Sequence, residues 1–273
     1  MAQMTLRGVT VWYDRDGSEL GTYRTPYPAK AQDQRSLLDA ISGWLDDMRD
    51  AGLPIRKIAT AGTYTGKRGA HGQGLAVDID SVLFTDGRNM IARDSWKQPT
   101  ELYIRTWAGL MRWFSIVLSG HYNAAHHDHL HCDLTGKSIF GGDASVGQFI
   151  QAGLRWAGFD PGAIDGVIGA KTQAAFGQWW VWAKSEGLVS AAAPPTTRAA
   201  MADSLSLVTL YGRRPGSVPK PVQEAVVTWE GVGQIPYMMI GEQAYVPLRQ
   251  VAEGLGFEVD VTEYPRIGVS PPT

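Results

Sequence analysis

All six histidines of this chain fall between His71 and His131, and five of them (His121, His126, His127, His129 and His131) lie between positions 121 and 131. Histidines that merely decorate a surface scatter along a sequence, and a histidine tail would be terminal. A cluster this dense leaves two outcomes for the folded chain: a basic, pH-sensitive loop, or side chains gathered around a metal ion.

The neighbouring residues favour the metal. Read as a strand, Gly74 to Asp80 has two faces, with Leu75, Val77 and Ile79 toward a core and Gly74, Ala76 and Asp78 on the other side. His71 precedes this strand and can swing over Asp78. A second strand over His129 to Leu134 puts His129, His131 and Asp133 on one face, and Leu130, Cys132 and Leu134 on the other. Two imidazoles facing a His/Asp pair can assemble a His₂Asp site with an open coordination position, the layout of a catalytic rather than a structural zinc. The single cysteine, Cys132, excludes an internal disulfide framework and a multi-cysteine zinc site, and reads as a small buried residue.

Rival motifs fail on inspection. Gly72-x-Gly74-x-x-Val77 lacks the third small residue of a dinucleotide fingerprint, and Gly136-Lys137-Ser138 lacks the first glycine of a P-loop, where His131 stands. Neither His-Glu-x-x-His nor Gly-x-Ser-x-Gly occurs.

The 273 residues suffice for two or more domains. Lys and Arg number 25 against 27 Asp and Glu, so no global positive field points to nucleic acid. Hydrophobic residues make up 44% of the chain, enough for real cores, yet no apolar run reaches the ~18 residues of a membrane span. Met1 to Arg7 lacks the basic, apolar and small-residue regions of a secretory signal, so the expectation is synthesis in the cytoplasm without Sec export.

Alternation over Thr5–Tyr13, an Asp16-Gly17 pair and Leu20–Arg24 predict a β-hairpin. Leu37, Ile41, Trp44, Leu45 and Met48 recur at helical spacing behind Ser36 as N-cap. Strands are expected over Ile55–Thr63 and Gly74–Ile79, and a buried helix over Leu102–Leu118. After Gly141-Gly142-Asp143 come helices over Val146–Ala157 and Thr172–Ala183, joined by a turn-rich loop, Asp160–Gly169. A proline-bearing linker, Ala191–Thr197, leads to a mixed unit with a strand Ala225–Trp229, a hairpin Met238–Val246 turning at Gly241, and a helix carrying Leu248, Val251, Ala252 and Leu255. The expected domains are 1–140, 143–190 and 200–273.

His71-x-x-Gly74-x-Ala76-x-Asp78 followed by Asp128-His129-x-His131 resembles the D-Ala-D-Ala carboxypeptidase and hedgehog-like metallopeptidases, most of all the extensin-like C-terminal group of bacterial cell-wall proteins. Ile58–Tyr64 and Val117–His131 support the match, which spans about residues 30–140. The resemblance implies an α+β fold, with an antiparallel-sheet zinc peptidase core and flanking helices, and Zn2+ held by His71, Asp78 and His131. Asp128 matches the family's acidic general base and His129 its extra histidine. Strand parity aims His129 at the metal, so which of the two is the base stays open. Arg68 corresponds to a basic residue that polarises the substrate carbonyl, with Lys67 as competitor.

Gly158-Phe159-Asp160-Pro161-Gly162-x-Ile164-Asp165-Gly166-x-Ile168-Gly169-x-x-Thr172-x-x-Ala175-Phe176 resembles a peptidoglycan-binding type 1 domain, and implies a small helical domain with Asp165-Gly166 at the tight turn. Ala244-Tyr245-Val246-Pro247-Leu248-Arg249-x-Val251-Ala252-x-x-Leu255-Gly256-x-x-Val259 resembles the small domain named after the N-terminal domain of copper amine oxidases, and implies a small α+β interaction module without copper.

Together the resemblances imply a zinc-dependent peptidase that cuts peptidoglycan stem peptides or cross-links and acts at the cell wall, as a phage-type lysin, on a virion, or by another export route. Peptidoglycan is the expected partner, with a virion or secretion apparatus as the second class. The alternative is a non-catalytic peptidoglycan-binding component of a phage tail or injection apparatus.

Overall fold

In the computed structural model, the N-terminal segment forms three short strands, β1 (Thr5–Leu6), β2 (Val9–Tyr13) and β3 (Gly21–Thr22). The structure describes residues 5–6, 8–13, 21–22, 31–60, 68–136, 140, 144–216, 224–229, 233–240, 243–245, 258–260 and 268–270. Strands β2 and β3 pair antiparallel, as expected of a hairpin, while the Asp16-Gly17 turn lies outside the described residues.

Helix α1 (Ala31–Asp50) buries Leu37, Ala40, Ile41, Trp44, Leu45 and Met48, the i, i+3, i+4 stripe of an amphipathic helix. It carries the chain back so that β4 (Ile55–Thr60) lies parallel to β2. The pair is parallel because a helical crossover joins the two strands. After β5 (Ala76–Ile79) the chain forms β6 (Ser81–Phe84) and β7 (Asn89–Ile91), which complete a sheet in the order β1-β2-β4-β6-β7, with β3 on β2.

A single turn, α2 (Ala92–Ser95), leads to α3 (Glu101–Met111), capped by the Thr100 hydroxyl accepting from the Tyr103 amide. Every residue of α3 from Tyr103 to Met111 is buried. The helix expected over Leu102–Leu118 therefore stops at Met111. Phe114 is still fully buried, but Ile116–Leu118 is strand β8, because the β-rich run Ile116-Val117-Leu118 pairs with β9 (Leu130–Asp133). Strand β9 is the centre of a second, antiparallel sheet in the order β5-β9-β8. One cross-strand row of that sheet, Val77–Cys132–Val117, is buried in the core, which leaves the Asp78–His131–Leu118 row on the opposite face.

Helices α4 (Ala144–Trp156) and α5 (Ala170–Ser185) flank the expected turn-rich loop. Gln151, buried on α4, holds that loop. Its amide donates to Asp165 Oδ1 (2.9 Å) and to the Val167 carbonyl (3.0 Å), and its Oε1 accepts from the Gly166 amide (2.7 Å). Gly166 sits at φ +81° directly over Gly147, where a Cβ would lie 2.1 Å from the Gly166 carbonyl oxygen. Helix and loop thus touch backbone to backbone, which explains both glycines.

Helix α6 (Arg198–Leu210) packs against α3 and α4. The chain accordingly divides into residues 1–215 and 216–273, rather than with α6 heading a unit from residue 200. In the second unit β10 (Glu224–Trp229), β11 (Gly233–Ile240) and β12 (Gln243–Tyr245) form an antiparallel sheet whose β11–β12 pairing matches the expected hairpin, and β13 (Glu258–Asp260) pairs with β14 (Gly268–Ser270). The helix expected around Leu248–Leu255 lies outside the described residues. The whole is a mixed α/β protein with small, largely antiparallel sheets and six α-helices among the described residues. No helix among those residues is long and apolar enough to cross a membrane.

Arg105 on α3 ties three helices together. Its buried guanidinium donates to the Leu210 carbonyl ending α6 (2.8 Å) and to the Ala51 carbonyl just past α1 (2.7 Å), and pairs with Glu101 (3.1 Å). Helix-terminal carbonyls have no partner within their own helix, so this side chain satisfies two that burial would otherwise strand. Arg105→Met should destabilise the fold by about 2–6 kcal/mol, from two orphaned acceptors at roughly 1–3 kcal/mol each. The check is a urea melt, which should show a lowered midpoint with an unchanged slope.

Candidate metal centre

Antiparallel register creates the site. Asp78 on β5 and His131 on β9 are direct cross-strand partners, which places their Cβ atoms within about 5.5 Å on a shared face. His71 reaches them from a 3₁₀ turn, His71–Gln73, that ends at Gly74 in the left-handed region (φ +73°). That turn reverses the chain just ahead of β5 and folds the His71 ring back over the strand, a reversal a residue with a Cβ adopts only at a cost.

The three donor atoms form a nearly equilateral triangle. His131 Nδ1 lies 2.9 Å from Asp78 Oδ1, His71 Nε2 lies 3.2 Å from the same oxygen, and the two nitrogens are 3.1 Å apart. Ligand atoms of a tetrahedral ion bound at roughly 2.0–2.1 Å are separated by roughly 3.3 Å. The spacing of this triangle therefore fits one face of such a coordination sphere. The three side chains are mostly but not wholly buried, at 20%, 16% and 12% exposure, so solvent reaches the site.

The outer groups fix which nitrogen is bare. His131 Nε2 lies 3.1 Å from Asp133 Oδ2, while the other Asp133 oxygen accepts from both the amide and the hydroxyl of Thr135 (2.8 and 2.7 Å). Asp133 is thereby anchored with one oxygen reserved for the imidazole, the outer-shell carboxylate that metal-ligating histidines commonly have. Without an ion, a proton fills the gap. Burial pushes the His131 imidazolium toward neutrality, but the hydrogen bonds to Asp133 and Asp78 outweigh it and raise its pKa to about 9. Burial likewise raises the Asp78 carboxyl, yet hydrogen bonds from His131 and His71 and the nearby His129 hold it well below the ordinary carboxylate range. Asp133 is lowered too, its burial outweighed by His131 and Thr135.

The remaining expected site residues divide. His129, just before β9, turns Nε2 toward the triangle, 3.6 Å from Asp78 Oδ1, and its Nδ1 donates to Asp128 Oδ1 at 2.8 Å. Asp128 thus stands behind His129, on the side away from Asp78. Arg68 is exposed three residues before His71, and no hydrogen bond or ion pair among the described residues ties it to the cluster; Lys67 lies outside them. Two other histidines leave the cluster. His121 stacks on Trp107 and meets Trp96 edge-on, and His127 is exposed with Nδ1 donating to the Ala124 carbonyl. His126 joins it, forming a second set with His129 and His131 whose ligand atoms lie within 4.8 Å of one another. The roles of Asp133 and His126 were not read from the sequence. Strand parity had put Asp133 on the His131 face, and Asn123 three residues before His126 was the available sign of an oriented ring.

Two outcomes follow for the metal-free chain titrated with Zn2+. Asp133→Asn should weaken binding by about 10–100-fold without unfolding the protein, since it removes the charge behind His131. Because His131 is protonated below about 9, each ion must displace that proton, so affinity should rise by about tenfold per pH unit up to that value. Calorimetry in buffers of different ionisation enthalpy should record about one proton released per ion at neutral pH. Conversely, the raised pKa stabilises the metal-free fold fully below the unfolded value of about 6.5, and this contribution fades as pH climbs through 9.

Residues 53–141, about a third of the chain, match the family described as Extensin-like protein C-terminus, a span that includes His71, Asp78, Asp128, His129 and His131. No curated protein and no solved structure matches the chain.

Proposed function

We propose that the chain is a zinc-dependent peptidase acting on peptidoglycan stem peptides or cross-links. The observation that carries the reading is the convergence of His71 Nε2, Asp78 Oδ1 and His131 Nδ1 from two separate stretches of chain. Three protein ligands, two imidazoles and one carboxylate, are the donor set of a zinc left open for water and substrate. The similarity of residues 53–141 to a family of extensin-like C-termini agrees with it.

An ion held there supplies a Lewis acid for the scissile carbonyl and lowers the pKa of its water from ~15.7 to about 7. The chain's own residues do the rest. His129 presents Nε2 beside the triangle and takes the proton of the attacking water, then delivers it to the leaving amine. Asp128 holds the His129 ring through Nδ1 and steadies the imidazolium that forms, so the acidic residue acts through the histidine rather than directly. Asp133 does the same for His131, keeping Nδ1 aimed inward. Arg68, exposed at the approach to His71, is the proposed cation for the substrate carbonyl or carboxylate.

The helical segment 143–190 is the proposed wall-binding unit, with the Gln151-clamped loop giving it a rigid surface. The second unit, residues 216–273, is a proposed attachment module. Holding the enzyme on an insoluble polymer raises the local concentration of cleavable peptides without any new contact at the reaction centre.

Digestion of purified sacculi by zinc-loaded protein, with mass spectrometry of the released muropeptides, tests the proposal. New peptide termini are expected, lost in His71→Ala and reduced by about 10²–10⁴-fold in His129→Ala, the range for removing a general base. Protein that binds sacculi from several wall types yet releases no new termini would be a binding component instead, and the peptidase reading would fall.

A further inference from the structure

We propose that His126 and His129 form a second position for a late transition-metal ion, Zn2+, Cu2+ or Ni2+, beside the first, with His131 open to it only while the first is empty. His126 ends a 3₁₀ turn, Ala124–His126, capped by Asn123. The Asn123 Oδ1 accepts from the Ala125 amide (2.9 Å) and faces His126 Nδ1 (2.8 Å). An oxygen already accepting from a backbone amide is an acceptor, so Nδ1 carries the proton and Nε2 is left with a bare lone pair. His129 is set in the same tautomer by Asp128. Two imidazoles, each with Nδ1–H satisfied by a side-chain oxygen, have the outer-shell arrangement that metal-binding histidines show.

The rings are close enough to share an ion. The centroid of His126 lies 5.3 Å from that of His129 and 5.6 Å from that of His131, and the ligand nitrogens of all three fall within 4.8 Å. The donor set differs from the first: it is all imidazole and has no carboxylate, which suits copper, nickel and zinc over magnesium or calcium. His131 is common to both sets. Once an ion at the first position has taken Nδ1 of His131, the second is left with His126, His129 and solvent, so it fills later and more weakly.

The binding stands by itself; its consequence rests on the function proposed above. An ion on His129 Nε2 occupies the lone pair needed to accept a proton, so metal in excess of one equivalent should inhibit cleavage rather than support it.

The test is a calorimetric titration of the metal-free full chain with Zn2+, repeated with Cu2+ followed by electron paramagnetic resonance. Wild type should show a tight step of one ion and a weaker step of a second. His71→Ala should lose the tight step, and His126→Ala should lose the weaker step while keeping the tight one, which also reports an intact fold. Asn123→Ala, which frees the His126 ring, should weaken the second step alone. A wild type that saturates at one ion, or a second step that His126→Ala leaves untouched, overturns the inference while the peptidase reading stands. Absence of the tight step from wild type counts against the peptidase reading instead, and a His126-dependent step would still be judged separately.

Discussion

Two nitrogen lone pairs and a carboxylate held 2.9–3.2 Å apart repel one another unless something positive lies between them. The whole region around β5 and β9 is arranged to hold them there. Register and the turn fix where the three side chains start, and the Asp133 carboxylate orients the His131 ring. Asp78 and His131 are locked opposite each other by sheet register, and His71 by a glycine-terminated turn. A proton on His131 relieves the crowding in the metal-free chain, and a divalent ion does so more completely, since it serves all three donors at once.

The rigidity behind that arrangement comes from the opposite face of the same sheet. Val77, Cys132 and Val117 make a buried row across β5, β9 and β8 that cannot slip by one residue without exposing itself and burying Asp78 and His131. Cys132, whose thiol burial raises well above its ordinary value, serves as packing there and not as a ligand. Beneath the sheet, α3 is buried along nearly its whole length, and Trp107 meets both His121 and Phe149. His121 is thus packed against Trp107 and Trp96, while His126, five residues further on, lies beside the donors.

Much of this was legible because strands have a period of two. Alternation around Asp78 and His131 assigns Val77, Ile79, Leu130 and Cys132 to the core, and all four are buried; Asp78 and His131 on the other face stay partly exposed, whereas Ala76 and Asp133 beside them are buried as well. Helical spacing in α1, α4 and α5 was equally readable. The misjudged element was the stretch after Met111, where apolar residues continue at helical spacing but long-range pairing of Ile116–Leu118 with β9 wins over local preference. Pairing across the sheet also hid β6 and β7 and the parallel β2–β4 contact, none of which has a local signature. At the site, residue types pointed to the donors, but which side chain stands behind which is decided by rotamers. The orientation of Asp128 toward His129, and of Asp133 toward His131, could only be seen in three dimensions.

Anomalous diffraction at the zinc edge, from crystals of the full chain grown with one equivalent of Zn2+, locates the ion. A peak bound to His71 Nε2, Asp78 Oδ1 and His131 Nδ1 at about 2.0–2.2 Å is the predicted result. A peak elsewhere on the chain, or no peak with the three side chains swung apart, would contradict the account.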